Sequence, residues 1–179
     1  MTSDPAKSDP ATLDWSKAAR LSQWYTVDGY PTRRRLEGRL FHDGTRLYIR
    51  LTERIDASWL VSEKAVFTGD DWEVFLAARR TPPYYQFAIN PDEKLYTSPN
   101  ASDLRLHVRA VSKVESSQWT FCLTIPLGKA VPNTVLEPGM SFCANFYRAV
   151  GSSGELLAWQ PNFVRRFHQL DRMGTFILE

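Results

Sequence analysis

The sequence predicts an all-β fold, a two-sheet antiparallel β-sandwich of jelly-roll or immunoglobulin-like type with about nine or ten strands. Apolar and polar residues alternate with a period of two in run after run, and turn-forming residues separate the runs. No window of the 179-residue chain keeps a helical period for more than a couple of turns. Strands with one apolar and one polar face are buried when two sheets pack their apolar faces together.

The clearest hairpin spans residues 36–51. An Asp43-Gly44 pair interrupts it, and we expect a type I′ turn there because both residues tolerate positive φ. Leu47 and Ile49 then begin an alternating run. This segment predicts the first pair of neighbouring strands.

Later strands are predicted from the same alternation. Residues 104–110, 119–125 and 142–146 each alternate apolar with other side chains. Pro126 ends the second of these runs because proline cannot donate to a strand ladder. A last short strand is expected at residues 175–178.

The most informative stretch joins residues 69–76 to residues 84–90 through a Pro-Pro turn. Period two places Trp72, Val74 and Leu76 on one face of the first strand. The opposite face of the two strands carries carboxylate, amide and aromatic groups, namely Asp71, Glu73, Phe75, Gln86, Ala88 and Asn90. Such a face suits a polyhydroxylated ligand, because hydroxyls need fixed donors and acceptors and sugar rings need a flat apolar surface.

The length of the chain fits one domain. Residues 1–12, rich in Ser, Asp and Pro, are expected to form a disordered lead, and residues 13–179 the sandwich. No apolar run approaches the roughly 20 residues that span a bilayer, and the start lacks a secretory signal. The protein is therefore expected to be cytoplasmic if Met1 is the native start, and secreted if a signal was trimmed.

The formal net charge is +2, and basic and acidic residues are interspersed. This distribution predicts neither a nucleic-acid partner nor a membrane partner. The runs Arg33-Arg34-Arg35 and Arg165-Arg166 are the exceptions. They are interpreted as a solvated strand face and a solvated loop, and a sulfated, carboxylated or phosphorylated ligand remains the alternative.

The residues that usually carry catalysis or bind metals are scattered. Cys122 and Cys143 form no CxxC spacing, and we expect two free thiols, with a bridge as the alternative if their strands are neighbours. His42, His107 and His168 show no metal-ligand spacing, and no nucleophile motif is present. We therefore expect no catalytic residue, no metal ligand and no cofactor.

The order of motifs along residues 13–179 resembles the family 9 carbohydrate-binding modules and their wider relatives in bacterial surface and polysaccharide-degrading proteins. The motifs that carry the resemblance are Leu13-Asp14-Trp15, Asp43-Gly44-Thr45-Arg46-Leu47-Tyr48-Ile49, Asp70-Asp71-Trp72-Glu73-Val74-Phe75, Gln86-Phe87-Ala88-Ile89-Asn90, Trp119-Thr120-Phe121-Cys122-Leu123-Thr124-Ile125-Pro126, Asn145-Phe146-Tyr147-Arg148, Trp159, Phe167-His168 and Met173-Gly174.

The resemblance implies a β-sandwich that grips a sugar between two aromatic rings. It places Phe67 and Phe167 at the rings and Glu73 at a carboxylate that contacts the sugar. Ala88 stands where a well-binding member has an arginine, and both ring positions carry Phe instead of Trp. The resemblance also implies a structural calcium, for which the Asp70-Asp71 pair and Asp43 are candidate sources of oxygens. No loop shows the dense Asp and Asn spacing of a calcium site.

The sequence therefore predicts non-catalytic binding of an oligosaccharide, a polysaccharide or a small sugar. The expected ligand-binding residues are Phe67, Glu73, Gln86, Arg148, Trp159 and Phe167. The alternative is a protein-interaction or structural module that has lost sugar binding, with an unknown protein partner. A weak glycoside hydrolase is third, because Asp71 and Glu73 lie about 6.6 Å apart along one strand.

Overall fold

The structure, a computed structural model, describes residues 13–179. These residues form two antiparallel sheets that pack face to face, so the predicted β-sandwich is confirmed. The expected disordered lead, residues 1–12, lies outside the described residues.

Twelve strands make up the two sheets. They are β1 (Ala19–Leu21), β2 (Tyr25–Thr26), β3 (Arg35–His42), β4 (Arg46–Arg54), β5 (Asp71–Ala77), β6 (Tyr85–Ile89), β7 (Leu95–Thr97), β8 (Arg109–Glu115), β9 (Gln118–Pro126), β10 (Ser141–Val150), β11 (Glu155–Ala158) and β12 (Gly174–Ile177).

One sheet has five strands in the order β1-β3-β4-β9-β8. The other has seven strands in the order β2-β11-β10-β5-β6-β7, with β12 paired to β10. The strand count exceeds the nine or ten expected because β1, β2 and β7 have only two or three residues each. Segments this short carry no readable alternation.

The turn between β3 and β4 differs from the predicted type I′ turn. Only Gly44 of the Asp43-Gly44 pair has positive φ, at +85°. The Asp43 carboxylate instead accepts hydrogen bonds from the backbone N–H groups of Thr45 and Arg46, at 2.8 and 2.7 Å. These bonds stabilise a three-residue loop that needs one left-handed residue rather than two.

The strand predicted at residues 104–110 is wrong over most of its length. A short 3₁₀ helix covers Pro99–Leu104, and β8 begins only at Arg109. The helix buries Ala101 and Leu104, which are three residues apart, and Leu106 is left 94% exposed. The spacing of one turn of 3₁₀ helix overrides the apparent alternation.

The main core lies between the sheets. Trp72, Val74 and Leu76 of β5 face it, as their alternation predicts, and all three are 0% exposed. Trp119 and Phe121 of β9 pack against them from the five-stranded sheet. Burial of large apolar side chains from both sheets is what stabilises the sandwich.

A charged group also crosses this core. Arg148 of β10 is 0% exposed, and its guanidinium lies 4.7 Å from the centre of the Trp119 ring. Arg148 Nε donates to Glu53 Oε2 at 2.8 Å, and Arg148 Nη2 lies 2.5 Å from Asp70 Oδ1. Because Glu53 belongs to β4, this ion pair ties the two sheets together.

The two cysteines are buried, and they form no disulfide bond with each other. Cys122 lies on β9 and Cys143 on β10, in different sheets. Among residues 13–179 the helices are short 3₁₀ turns, and none is long and apolar enough to cross a membrane.

Candidate functional site

The candidate site lies on the outer face of the seven-stranded sheet, on the side away from the core. Strand register aligns its side chains in rows across the sheet. The row through Glu73 places Ala88 on one side and Tyr147 on the other, with Tyr96 beyond Ala88. We call this surface the Glu73 face, and it comprises Asp71, Glu73, Phe75, Gln86, Ala88, Tyr96, Asn145 and Tyr147.

Glu73 and Gln86 form the polar centre of the Glu73 face. Gln86 Nε2 donates a hydrogen bond to Glu73 Oε2 at 2.6 Å. The backbone of Gln86 is itself held, because its N–H donates to Ser98 Oγ at 3.1 Å. Glu73 Oε1 accepts no hydrogen bond from any described residue, so the pair presents an oriented acceptor with spare capacity.

Burial controls the protonation of this centre. Only 5% of Glu73 and 1% of Asp71 is exposed. Burial raises the pKa of Glu73, although the hydrogen bond from Gln86 opposes the shift. Burial, the Glu73 carboxylate and the Asp70 carboxylate raise the pKa of Asp71, while the Arg148 guanidinium opposes that shift. The two carboxyls therefore retain protons at pH values where exposed carboxyls are ionised.

Partly exposed aromatic rings border the Glu73–Gln86 pair on its β6 and β7 side. Tyr84 stacks on Phe75, with ring centres 5.4 Å apart, and its hydroxyl lies 2.6 Å from His168 Nδ1. Tyr96 contacts the edge of Phe67 at 4.9 Å between ring centres. Phe67 is 48% exposed. Polar groups flanked by rings of this kind are typical of sugar sites.

Phe167 covers another part of the Glu73 face. Its ring stacks on Tyr147 at 4.4 Å between centres, and only 8% of Phe167 is exposed. The Tyr147 hydroxyl accepts from Asn145 Nδ2 at 2.9 Å and donates to Asn162 Oδ1 at 3.2 Å. The segment that carries Phe167 thus packs on β10 as part of a second apolar cluster with Met173.

The structure brings together some of the predicted ligand-binding residues but not all of them. Phe67, Glu73 and Gln86 belong to one surface. Arg148 follows Tyr147 on β10 and points the other way, into the core. Trp159 is partly buried against the main core and packs on Phe146 and Phe176.

Two residues of the site were missed from the sequence, Tyr84 and Tyr96. Tyr84 precedes Gln86 by two positions, so the period-two pattern already placed it on the same face. Tyr96 lies on β7, a three-residue strand, and it reaches the Glu73 row only through pairing with Ala88. The first had a signal in the sequence, and the second required the strand register.

The Asp70 carboxylate, a candidate source of calcium ligands, contacts other groups of the protein. Asp70 Oδ2 accepts from the Val61 N–H at 2.6 Å, and Asp70 Oδ1 faces Arg148. Residues 13–179 contain no group of three or more His, Cys, Asp or Glu side chains that could hold a metal ion. The structural calcium that the resemblance implies stays a prediction, because carbonyl and amide oxygens also bind calcium.

The raised carboxyl pKa values predict that the protein loses stability as pH rises. A carboxyl whose folded-state pKa exceeds its unfolded value of about 4 stabilises the fold fully below that value, and the contribution is lost as pH rises through the folded pKa. Asp71→Asn keeps the shape of the side chain and removes its ionisable carboxyl. We therefore expect the variant to be more stable than the parent protein at pH 9, and its stability to depend less on pH. Each unit of pKa shift corresponds to about 1.4 kcal/mol.

Urea unfolding at pH 5, 7 and 9 measures this effect. The control is Asp28→Asn, at an exposed position that makes no ion pair with any described residue. Parallel profiles for Asp71→Asn and the parent protein would contradict the assignment of raised carboxyl pKa values to this site.

Comparisons with known proteins identify the class of fold. A scan of protein-family models gives no match, and a search of curated protein sequences gives none. Solved structures do match over nearly the whole chain. A family 9 carbohydrate-binding module from Caldicellulosiruptor kristjanssonii in complex with glucose has a TM-score of 0.71 and 16% identity, covering 96% of this chain and 90% of its own.

Two further matches agree. The module from the same organism in complex with cellotriose has a TM-score of 0.70 and 14% identity, over 92% of this chain and 84% of its own. A candidate carbohydrate-binding protein from Bacteroides uniformis has a TM-score of 0.68 and 19% identity, covering 95% of this chain and 90% of its own. The chain therefore has the fold of the family 9 carbohydrate-binding modules.

Proposed function

We propose that the protein binds carbohydrate without catalysis, at the Glu73 face. The observation that carries this proposal is the hydrogen bond from Gln86 to Glu73, which leaves Glu73 Oε1 as an oriented acceptor beside partly exposed rings. In this proposal a sugar hydroxyl donates to Glu73 Oε1, and another donates to the side-chain oxygen of Gln86. Tyr84 and Tyr96 supply apolar ring surface and hydroxyl groups.

The matched structures guide the choice of sugar. Two of them are modules in complex with glucose and with cellotriose. Glucose and short β-glucans are therefore the first probes for this chain, and xylan fragments extend the panel. The rigid sheet supports the proposal because polar groups held on strands need little reordering when a ligand binds.

Glu73→Gln tests the proposal while preserving the volume of the side chain. We expect it to weaken sugar binding by about tenfold or more, because an amide NH₂ group replaces one of the two carboxyl oxygens that can accept hydrogen bonds. Glu137→Gln is the matched control, since Glu137 is exposed and lies outside the Glu73 face. Binding is measured by thermal shift and calorimetry against mono-, oligo- and polysaccharides, with and without calcium, because a ligand of the folded state raises the melting temperature.

The outcomes separate the alternatives. A saturable shift that Glu73→Gln weakens and Glu137→Gln does not is the expected result. Saturable binding unaffected by Glu73→Gln would move the site elsewhere. A flat response across the panel would overturn the proposal and favour the protein-interaction module, which is then pursued through self-association and partner capture.

One observation favours a glycoside hydrolase as the second candidate. Asp71 and Glu73 are buried neighbours on β5 with raised pKa values, and paired carboxyls of this kind act in glycosidases. Both side chains project from the same strand, however, whereas catalytic pairs flank the sugar. Release of reducing sugar that stops with Glu73→Gln would establish hydrolysis, and binding without release would leave the binding module.

A further inference from the structure

A second surface with unusual charge lies on the opposite side of the sandwich. The outer face of the five-stranded sheet carries a cluster of six cationic side chains accompanied by two glutamates, Glu37 and Glu115. We call this cluster the basic face, and its cationic members are Arg20, Arg35, Arg39, Arg50, Arg54 and Lys113. The cluster has a formal charge of +4, whereas the whole chain has +2.

The strand register places like charges directly opposite each other on the basic face. Arg35 of β3 lies opposite Arg54 of β4, and Arg39 lies opposite Arg50. Arg20 of β1 extends the second row, because it lies opposite Arg39. Like charges directly opposite on neighbouring strands destabilise a sheet. Repulsion within these pairs costs the fold stability, and an anionic ligand bound between them would relieve it.

Neighbouring carboxylates neutralise only part of this charge. Glu37 pairs with Arg20 and Arg39 at 2.7 and 2.5 Å. Arg35, Arg50 and Arg54 form no ion pair with any residue in the described part of the chain. The Arg50 guanidinium lies over the Trp15 ring at 4.6 Å, which holds its side chain in place.

A groove of about 820 Å³ is lined by five of the six cationic side chains, all except Arg39, and by both glutamates. Hydroxyl and amide groups lie between the arginine rows. Thr52 separates Arg50 from Arg54 along β4, and Thr120 of β9 lies opposite Thr52. Successive outward side chains on a strand are about 6.7 Å apart, so β4 presents a cation, a hydroxyl and a cation in regular steps.

We propose that the basic face is a second binding site, for a carboxylated polysaccharide. Such a polymer alternates carboxylates with hydroxyls, which matches the alternation of arginine and threonine on β4. Guanidinium groups bind carboxylates through two parallel hydrogen bonds. The groove lining contains no aromatic side chain, and single-stranded nucleic acid is usually bound by stacking its bases on aromatic rings.

The site is independent of the Glu73 face, because the two surfaces lie on opposite sides of the core. A molecule that uses both would hold a neutral glycan on one side and an acidic polysaccharide on the other. Binding at the basic face therefore does not depend on sugar binding at the Glu73 face.

The test compares oligogalacturonate with neutral cellotriose and with single- and double-stranded DNA of 20 nucleotides, by calorimetry in 50 mM NaCl. The variant is Arg35→Gln with Arg54→Gln, which removes one directly opposed pair. The matched control is Lys129→Gln with Arg165→Gln, which removes the same charge at exposed positions off the five-stranded sheet. Unfolding temperatures are measured for all three proteins.

The expected result is oligogalacturonate binding that weakens about tenfold or more in the Arg35 and Arg54 variant and less than about twofold in the control. The unfolding temperature of that variant should equal or exceed that of the parent, because a repulsive pair is gone. Cellotriose should not compete, and Glu73→Gln should leave oligogalacturonate binding unchanged.

Four results would overturn the proposal. They are no binding of oligogalacturonate in 50 mM NaCl, an equal loss in the control variant, DNA binding as tight as oligogalacturonate binding, and competition by cellotriose. The DNA result would reassign the basic face to nucleic acid, and the competition result would place both ligands at one site.

Discussion

Arg148→Met is expected to lower the free energy of unfolding by about 3–5 kcal/mol. Arg148, Glu53 and Asp70 are at most 1% exposed, and the guanidinium lies between the two carboxylates. Removal of the cation leaves the buried Asp70 carboxylate without a cationic partner and leaves Glu53 with Arg34 alone. Methionine fills much of the volume, so the loss reports the charge more than a cavity.

The double variant Arg148→Met with Glu53→Gln measures the interaction free energy between Arg148 and Glu53. A second ion pair complicates it, because Arg34 also contacts Glu53 at 2.8 Å. We expect the double variant to be less destabilised than the sum of the two single variants, since each single change already removes the ion pair between Arg148 and Glu53. Urea unfolding of all variants at pH 7 measures this, with Arg165→Met as the exposed control. A loss below about 1 kcal/mol for Arg148→Met would contradict the ion-pair assignment.

Phe167→Ala is expected to cost about 3–5 kcal/mol, as for other buried phenylalanines. Phe167 is 8% exposed and stacks on Tyr147, so its removal opens a cavity over β10 and exposes the Tyr147 ring. Phe67→Ala is the matched comparison. Phe67 is 48% exposed, and we expect its stability loss to stay below about 1 kcal/mol.

The same pair of variants separates packing from ligand contact. If the Glu73 face binds sugar, Phe67→Ala should weaken binding at a temperature where the protein stays folded, because a partly exposed ring beside Tyr96 is removed. Phe167→Ala should mainly lower the free energy of unfolding. Calorimetric titration at 15 °C together with urea unfolding measures both effects. The assignment fails if Phe167→Ala unfolds like the parent protein while Phe67→Ala is the destabilised variant.

Some of the fold and the site could be predicted from the sequence because it depends on local periodicity. Alternation along β5 determined that Trp72 and Val74 face the core and that Glu73 faces outward. The same argument determined the outward position of Gln86 on β6. The prediction failed at Leu106, because a 3₁₀ turn and a strand both tolerate a short apolar pattern.

Strand alternation does not predict which residues from distant strands surround a given side chain. Arg148 was predicted to contact ligand because a guanidinium can bridge two hydroxyls or a carboxylate. Two partners nearly 80 and 100 residues away in the chain, Asp70 and Glu53, accommodate it inside the core instead. No local pattern encodes a partner at that distance. Burial of a charge depends on which strands become neighbours, and that is a tertiary property.

The sequence by itself determined the all-β class, the sandwich and the outward polar side chains of β5 and β6, because strand periodicity is a property of neighbouring residues. Only the tertiary structure decided that Tyr96 reaches the Glu73 row and that Phe167 packs on Tyr147. It also decided that the arginines of β3 and β4 stand opposite one another. Each of these contacts depends on register between segments far apart in the chain, and register is set by the packing of the whole sheet.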